Sequence, residues 1–400
     1  MNCESGRPSD RCTSLSQGYS YSPRLMHTSF IPTLDALPAR KSPLMERFAA
    51  LLEPKSPTQL EAMAAESRQI TRRNFGRTMR LFAPLYVSNE CVNNCKYCGF
   101  SRDNPILRVT LTVEQVVQEA KHLVSLGFRN ILLVAGEHPR FVSDGYLEEC
   151  IRAIRDFVPT IGIEVGPMED PEYGRMVEAG CEGLVVYQET YDRELYAEMH
   201  TAGPKKDFEW RLACPERGYA GGFRRIGIGA LFGLSDWRLE ALRLAAHLEH
   251  LYKHCWKASF TVAFPRLRPA AGGFQPKTAF PDWALVQTIC AFRIIFPEVG
   301  VILSTREPAP LRDALAPLGI TVMSAGSHTE PGGYTGAGND DLHLTVKGRR
   351  VDVEHKDEDK AEGQFGIADE RTPSEVAAML NKQGLDAVWK DWDASILSVA

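Results

Sequence analysis

Residues 112–135, TVEQVVQEAKHLVSLGFRNILLVA, read as one complete unit of a repeating architecture. Thr112 stands where a helix N-cap is needed, and Gln115 occupies the reciprocal capping-box position. Val113, Val116, Val117, Ala120 and Val124 recur at helical spacing as one apolar face, and Gly127 supplies the stop. The run NILLVA (130–135) that follows is short, apolar and unbroken, as a strand buried on both faces should be.

Working outward, the same alternation recurs along most of the chain. LFAPLYV (81–87) reads as a strand, although Pro84 inside it argues the other way. Further strands are expected at 161–165, 184–187, 225–231, 258–264, 299–304 and 320–324, with helices at 145–157, 237–254 and 283–296 among them. About eight β-then-α units in series predict a parallel sheet with helices outside, closed as a (β/α)8 TIM-type barrel over 81–325. The last strands are weakly marked, so a six-unit open barrel or a doubly wound sheet stands beside it. Residues 1–40, rich in Ser and Pro, read as a poorly ordered leader, and 41–80 as an N-terminal helical extension. From 326 to 400 a C-terminal region is expected to cover the barrel. It comprises a long charged loop or lid, with a hairpin around Lys347–Gly348, and a last helix opened by Thr372, Pro373, Ser374 and Glu375 and stopped by Gly384.

Composition narrows the function class. Lys and Arg number 46 against 51 Asp and Glu, a net charge of −5 with no basic block, so nothing points to nucleic acid. No apolar run approaches the ~20 residues that span a bilayer, and the polar N-terminus has no secretory apolar core. A cytoplasmic enzyme without membrane attachment is the expectation. Of ten cysteines, Cys3, Cys12, Cys150, Cys181, Cys214, Cys255 and Cys290 are scattered, while Cys91, Cys95 and Cys98 crowd into one loop just after the first strand. In a chain of 400 residues that is a metal site rather than a disulfide framework.

Iron–sulfur clusters are held by cysteine thiolates, four for a full [4Fe–4S] set. Three close thiolates with no fourth nearby leave one iron open, and an open position is what a catalytic metal site keeps. The loop after a barrel strand also lies on the face where such folds keep their chemistry. Zinc held with His138 or another distant ligand is a second reading, and chance clustering a third.

The C-x3-C-x2-C spacing, with Tyr97 before the last cysteine, is the signature of the radical S-adenosylmethionine superfamily. Within it the chain resembles the 2-iminoacetate synthases, the tyrosine lyases of thiamine (thiazole) biosynthesis. The matching stretches are PLYVSNECVNNCKYCGFS (84–101), LVAGEH (133–138), VYQETY (186–191), RIGIGALFGLS (225–235), FPRLRP (264–269), LSTRE (303–307), PGGY (331–334) and VWKDWD (388–393). The resemblance runs over 81–393 and is weakest at 340–369. A related tyrosine lyase of hydrogenase maturation carries a second cluster on C-terminal cysteines, and this sequence has none after Cys290. Indole-forming tryptophan lyases share the run at 305–308, so that run does not separate substrates.

The resemblance implies that Cys91, Cys95 and Cys98 hold a [4Fe–4S] cluster whose open iron takes the amino and carboxylate groups of S-adenosyl-L-methionine. It places Gly136 and Glu137 beneath the methionine amine, where relatives have a Gly-Gly-Glu-like turn; the first glycine is here Ala135. Glu189 becomes a candidate for the ribose hydroxyls or a charged group, and Arg211 for the cofactor carboxylate, against the plainer reading of a helix-surface arginine. Gly227 and Gly229, inside a strand, mark close approach by the adenosyl group or simply tight barrel packing. Arg306 is the expected partner of the substrate carboxylate, with Ser324 nearby and Tyr86 lining the pocket; an internal ion pair of Arg306 with Glu307 or another acid is the alternative. Arg266 and Arg268 alternate with Leu267 on one face of an extended segment, with no ligand assigned.

The reading that follows is a radical lyase splitting the Cα–Cβ bond of L-tyrosine into 2-iminoacetate (dehydroglycine) and p-cresol, with 5′-deoxyadenosine and methionine as co-products. Thiazole synthase is the implied protein partner, and flavodoxin or ferredoxin the implied electron donor. A lyase of tryptophan or another aromatic amino acid is the alternative within the class. A non-enzymatic zinc or iron–sulfur protein is the alternative outside it.

Overall fold

The computed structural model describes residues 42–142, 145–346, 349–354, 356 and 358–389. Eight parallel strands form the core: β1 Thr78–Ser88, β2 Asn130–Ala135, β3 Thr160–Glu164, β4 Gly183–Glu189, β5 Arg225–Ala230, β6 Ser259–Ala263, β7 Gly300–Leu303 and β8 Val322–Ser324. Each pairs with the next, and β8 pairs back onto β1 through Arg80↔Val322, Leu81↔Met323 and Phe82↔Ser324. The barrel is therefore closed, and the open alternatives fall. Pairing with β8 stops at Phe82, so Pro84 lies beyond the end of that ladder, where its missing N–H breaks no rung.

Helices α3 Val113–Ser125, α4 Tyr146–Ile154, α5 Asp170–Ala179, α6 Arg193–Met199, α7 Phe208–Leu212, α8 Cys214–Ala220, α9 Trp237–His254, α10 Asp282–Ile295 and α11 Ala309–Leu315 connect the strands. Helix α3 carries the expected capping box, with the Thr112 N–H donating to Gln115 Oε1 at 2.8 Å and the Gln115 N–H to Thr112 Oγ1 at 3.3 Å. Val116, Ala120 and Leu123 are its buried face. The helix expected at 145–157 stops earlier, at Ile154.

The extension before the barrel folds as α1 Pro43–Leu52 and α2 Pro57–Phe75, lying outside α9 and α10. Phe48 meets Phe292 edge-on at 4.9 Å, and the Gln287 amide donates to the carbonyls of Leu51 and Glu53. The leader expected at 1–40 lies outside the described residues. The cysteines Cys150, Cys181, Cys214, Cys255 and Cys290 are buried singly in the packing between strands and helices, as small hydrophobes. No helix among the described residues is long and apolar enough to cross a membrane.

After β8 the chain returns over the barrel mouth before entering α12 Pro373–Lys382, whose Thr372/Glu375 capping box and Gly384 stop (φ +70°) are as expected. His343–Val346 pairs antiparallel with Arg349–Asp352; the residues between, Lys347 and Gly348, where the hairpin turn was expected, lie outside the described residues. The segment 361–369 is strapped down at both ends. The Asn89 amide donates to the Glu362 carbonyl, the Gly99 N–H to the Gln364 carbonyl, and the Ala368 N–H to the Thr305 carbonyl. Arg312 and Asp369, both fully buried, form an ion pair beneath it, and Arg371 joins Asp369 at 2.8 Å. Asp369→Ala would leave a buried guanidinium short of its counter-charge, so denaturant unfolding should show a loss of about 3–5 kcal/mol.

Candidate active site

The three cysteines lie on one loop at the C-terminal mouth of the barrel. Asn94–Cys95 forms a short antiparallel pair with His200–Ala202, which fixes the loop against the chain after α6. The Asn93 side chain ties it from both sides, accepting from the Lys205 N–H at 2.9 Å and donating to Glu137 Oε2 at 2.7 Å. Fully buried Arg108 donates to the carbonyls of Asn89 (2.6 Å), Phe100 (3.1 Å) and Ser101 (2.8 Å). Glu90, also buried, accepts from His343 Nε2 at 2.7 Å and Thr345 Oγ1 at 2.5 Å. Burial alone would raise its pKa; these hydrogen bonds bring it below the ordinary carboxylate value.

Around the thiols the surroundings are apolar. Cys95 packs with Tyr97, Met199, Leu231 and Leu234, while Cys91 and Cys98 lie against Tyr86, Phe100 and Val134. Burial, and then the neighbouring Cys91, pushes Cys98 up to about 11; burial also raises Cys95. Such a trio favours a cation that takes up the thiolates' charge. The Tyr97 hydroxyl donates to His200 Nε2 at 2.7 Å, because Nδ1–H is spent on the Tyr196 carbonyl. Burial drops His200 to about 3, so that imidazole is neutral.

Among the described residues no three His, Cys, Asp or Glu side chains converge closely enough for one metal ion. The zinc reading with His138 also fails on its partners: the ring Nδ1 accepts from the N–H groups of Arg140 (3.2 Å) and Phe141 (3.4 Å), capping the turn after β2. Three cysteines on one loop in an apolar shell suit a polynuclear cluster, whose irons spread its ligands apart, better than a single ion.

Gly136 is enclosed by this loop. A Cβ there would stand 2.2 Å from the Glu90 carbonyl oxygen and 3.2 Å from Cys91 Cβ, so only glycine lets β2 end beside the first cysteine. Gly136→Ala should displace Cys91, and anaerobic reconstitution should then bind markedly less iron per chain. Full iron loading by that variant would count against a tight fit here.

Across the mouth, Glu189 has φ +70°, the left-handed region otherwise occupied only by glycines among the described residues. Fully buried Glu240 holds that turn by accepting from Thr190 Oγ1 (2.7 Å) and the Tyr191 N–H (2.9 Å). The Glu189 carboxylate meets Lys205 Nζ at 2.7 Å and the Arg211 guanidinium at 3.7 Å. Burial opposes its ionisation, yet those two cations hold its pKa below the ordinary value. Arg211 is thus a buried arginine, 8% exposed, that also donates to the Tyr187 carbonyl at 2.7 Å, and not a helix-surface one.

Below the mouth the barrel is hollow. Inward positions carry small residues, among them Gly162, Thr261, Ala263, Ser304 and Ser324, where a filled barrel would have branched ones. Phe82, Pro84, Leu132, Val134, Val185 and Ile302 line an apolar middle section. Gly227 and Gly229 share this inward row, but added side chains there would collide with Thr261 and Val185, and with the Tyr187 ring and Ala263 carbonyl. Packing by itself accounts for their size.

Arg306 stands at the top of this lumen, its guanidinium 3.3 Å from the centre of the Phe365 ring and donating to the Arg266 carbonyl at 3.3 Å. The expected alternative, an Arg306–Glu307 pair, does not form. Glu307 is taken by Arg266, whose Nε lies 2.9 Å from both carboxylate oxygens and whose other side meets Asp282 at 2.7 Å. Arg266 is therefore a rim ion pair, while Arg268 Nε is buried with no hydrogen-bond partner among the described residues. Ser324 lines the lumen, its hydroxyl accepting from the Thr305 N–H at 3.1 Å. Tyr86, buried, lines the same lumen and donates to Gln364 Oε1 at 2.8 Å.

Sequence reasoning missed Glu164, Lys205, Asn93, Gln364 and Phe365. Glu164 left a signal, an acid closing a strand in IGIEVG. Gln364 and Phe365 left none, because only the path of the strap brings them over the mouth.

Residues 85–245 match the radical SAM superfamily and residues 263–386 the Biotin and Thiamin Synthesis associated domain. The chain is 42% identical over 346 residues to 2-iminoacetate synthase of Escherichia coli (strain K12), covering 86% of each chain. Identity to 2-iminoacetate synthase of Salmonella typhimurium is also 42%, over 86% of each. Among solved structures, the FeFe-hydrogenase maturase HydG from Carboxydothermus hydrogenoformans superposes with a TM-score of 0.77 at 35% identity, covering 88% of this chain and 77% of that one.

Proposed function

Because the chain belongs to the 2-iminoacetate synthase family of radical S-adenosylmethionine lyases, whose cofactors are a [4Fe–4S] cluster and S-adenosyl-L-methionine, we propose that it cleaves the Cα–Cβ bond of L-tyrosine. The products are 2-iminoacetate and p-cresol, the first supplying the thiazole of thiamine. The observation that carries this reading is the lumen itself: a half-buried guanidinium, Arg306, above an apolar chamber, a short way from the three-cysteine loop.

Cys91, Cys95 and Cys98 would hold the cluster, and Gly136 leaves room for their loop to lie against the end of β2. When bound, cluster and cofactor together supply a carbon-centred radical by reductive cleavage of the sulfonium. Glu137, bonded to Asn93 of the cysteine loop, and the Glu189–Lys205–Arg211 group would meet the cofactor's amino acid and ribose. Arg306 grips the substrate carboxylate, a bidentate match of guanidinium to carboxylate. Tyr86 and Ser324 border the same chamber, and Leu132, Val134 and Val185 surround the aromatic ring. The strap bearing Gln364 and Phe365 closes the top, keeping water from a reactive intermediate.

An imine that hydrolyses readily favours direct hand-over, so thiazole synthase is the proposed partner and flavodoxin or ferredoxin the proposed donor. Eight free cysteines among the described residues agree with a reducing, cytoplasmic setting. The test is anaerobic reconstitution followed by incubation with S-adenosylmethionine, dithionite and L-tyrosine, measuring 5′-deoxyadenosine and p-cresol. Both are expected. Deoxyadenosine without p-cresol sends the substrate to tryptophan or another aromatic amino acid; neither product from cluster-loaded protein overturns the reading.

A further inference from the structure

The lumen contains one acid that the reading above leaves without a task. Glu164 ends β3, and the registers Tyr86↔Val134 and Val134↔Glu164 place it in one row with Tyr86 at the upper end of the chamber. Six titratable side chains face it: Tyr86 from β1, Tyr187 and Glu189 from β4, Lys205 and Arg211 from the segment after α6, and Arg306 from the loop after β7. Lys205 and Arg211 are already committed to Glu189. Tyr86 donates away from it, to Gln364. Arg306 forms no ion pair with a carboxylate among the described residues; its contacts are a carbonyl and an aromatic face.

The chamber therefore presents a guanidinium that lacks a counter-ion and a carboxyl with no hydrogen bond among the described residues, within electrostatic reach of each other. Both groups are half-buried, and charges left apart in such a setting carry a desolvation cost that a ligand bridging both recovers. The bridge needs an anionic group and an ammonium on neighbouring atoms. An α-amino acid has that arrangement; a keto acid, an amine or a simple aromatic acid does not.

We propose that Glu164 receives the α-ammonium of the amino-acid substrate while Arg306 holds its carboxylate, and that Glu164 then takes one proton from that nitrogen. The inference rests on the amino-acid lyase reading. In the step an N–H bond of the ammonium breaks and an O–H bond forms on Glu164; the nitrogen keeps its electron pair and nothing is oxidised or reduced. The substrate is left as a neutral amine, oriented by the carboxyl that has just been protonated. Burial, and then the charge of Glu189, push Glu164 up to about 7, with Arg306, Arg211 and Lys205 pulling the other way. A base with a pKa near the working pH suits proton transfer. Its sign is fixed: Glu164 accepts only when ionised, so turnover should climb as pH rises through about 7.

The experiment compares the cluster-loaded enzyme with its Glu164→Gln variant, which keeps the shape and loses the base. The wild type should show an ascending limb near neutral pH in kcat/KM for L-tyrosine. In the variant kcat should fall by about 10²- to 10⁴-fold and that limb should vanish. Equilibrium binding gives a second readout that does not need turnover. Glu164→Gln should weaken L-tyrosine by roughly tenfold or more while leaving 3-(4-hydroxyphenyl)propionate, which has no amine, unchanged. A variant that turns over tyrosine within threefold of wild type, with the same pH profile, overturns the proposal and leaves the lyase reading intact. Equal weakening of both ligands also overturns it, since that marks general damage to the chamber. A wild type that makes no lyase product from any aromatic amino acid overturns both.

Discussion

Replacing Cys91, Cys95 or Cys98 singly by alanine is expected to leave a folded chain that neither retains a [4Fe–4S] cluster nor cleaves S-adenosylmethionine. With these three as the proposed ligands, the loop has none to spare. The other described cysteines cannot stand in: Cys181 bonds the Ile161 carbonyl, Cys214 lies 2.8 Å from the Tyr173 hydroxyl, and Cys150, Cys255 and Cys290 are buried in the main core. The fold should survive, because alanine fits the apolar shell around each thiol and the loop is also held by Asn93, Arg108 and the pairing with His200–Ala202. Iron content, the visible absorption of the reconstituted protein and 5′-deoxyadenosine formation check this together. Cys290→Ala is the control, expected to match wild type in all three. A single-alanine variant with full cluster content and wild-type cofactor cleavage would sink the assignment of that ligand.

Arg306 comes second in expected effect. Arg306→Ala should lower kcat/KM for L-tyrosine by roughly 10²- to 10³-fold, the equivalent of about 3–4 kcal/mol lost when a buried carboxylate forfeits its partner. Cluster content and cofactor binding should persist, since the guanidinium contacts neither the cysteine loop nor the Glu189 group. Slow, substrate-independent cofactor cleavage should therefore remain visible. Arg306→Lys should recover little of the loss. An ammonium cannot reproduce the planar fork, and it would give up the stacking on Phe365. Tyrosine turnover within a few-fold of wild type in Arg306→Ala would move the carboxylate site elsewhere, with Arg268, whose buried Nε is unbonded, as the next residue to change.

Much of the architecture was legible from the chain. Each of the eight expected strands lies within about three residues of an observed one, because a strand with helices on one face and an apolar lumen on the other is written in consecutive apolar residues. Helices with capping boxes, α3 and α12, were found at their starts because the cap is a local hydrogen bond between residues three apart. Closure was harder to foresee. It depends on three residue pairs between β1 and β8, and both β7 and β8 are short.

The site divides along the same line. The cysteine loop, the Gly136–Glu137 turn and Arg306 sit at strand ends in the sequence, and the parallel barrel gathers all strand ends on one face. What each charged group does there was not legible. Glu307 could have paired with adjacent Arg306 and instead takes Arg266, leaving Arg306 to the lumen. Arg211 read either as a partner of the cofactor carboxylate or as a helix-surface residue, and it is buried against Glu189.

The sequence alone therefore determined the order of strands and helices, the three-cysteine loop and the family of chemistry, since these rest on contacts between near neighbours or on a compact motif. Tertiary structure decided the hollow lumen, the pairing of Arg266 with Glu307 and of Arg211 with Glu189, and the strap that brings Gln364 and Phe365 over Tyr86 and Arg306. Those depend on residues far apart in the chain, such as Tyr86 and Gln364 at a separation of 278, and only the closed barrel sets such distances.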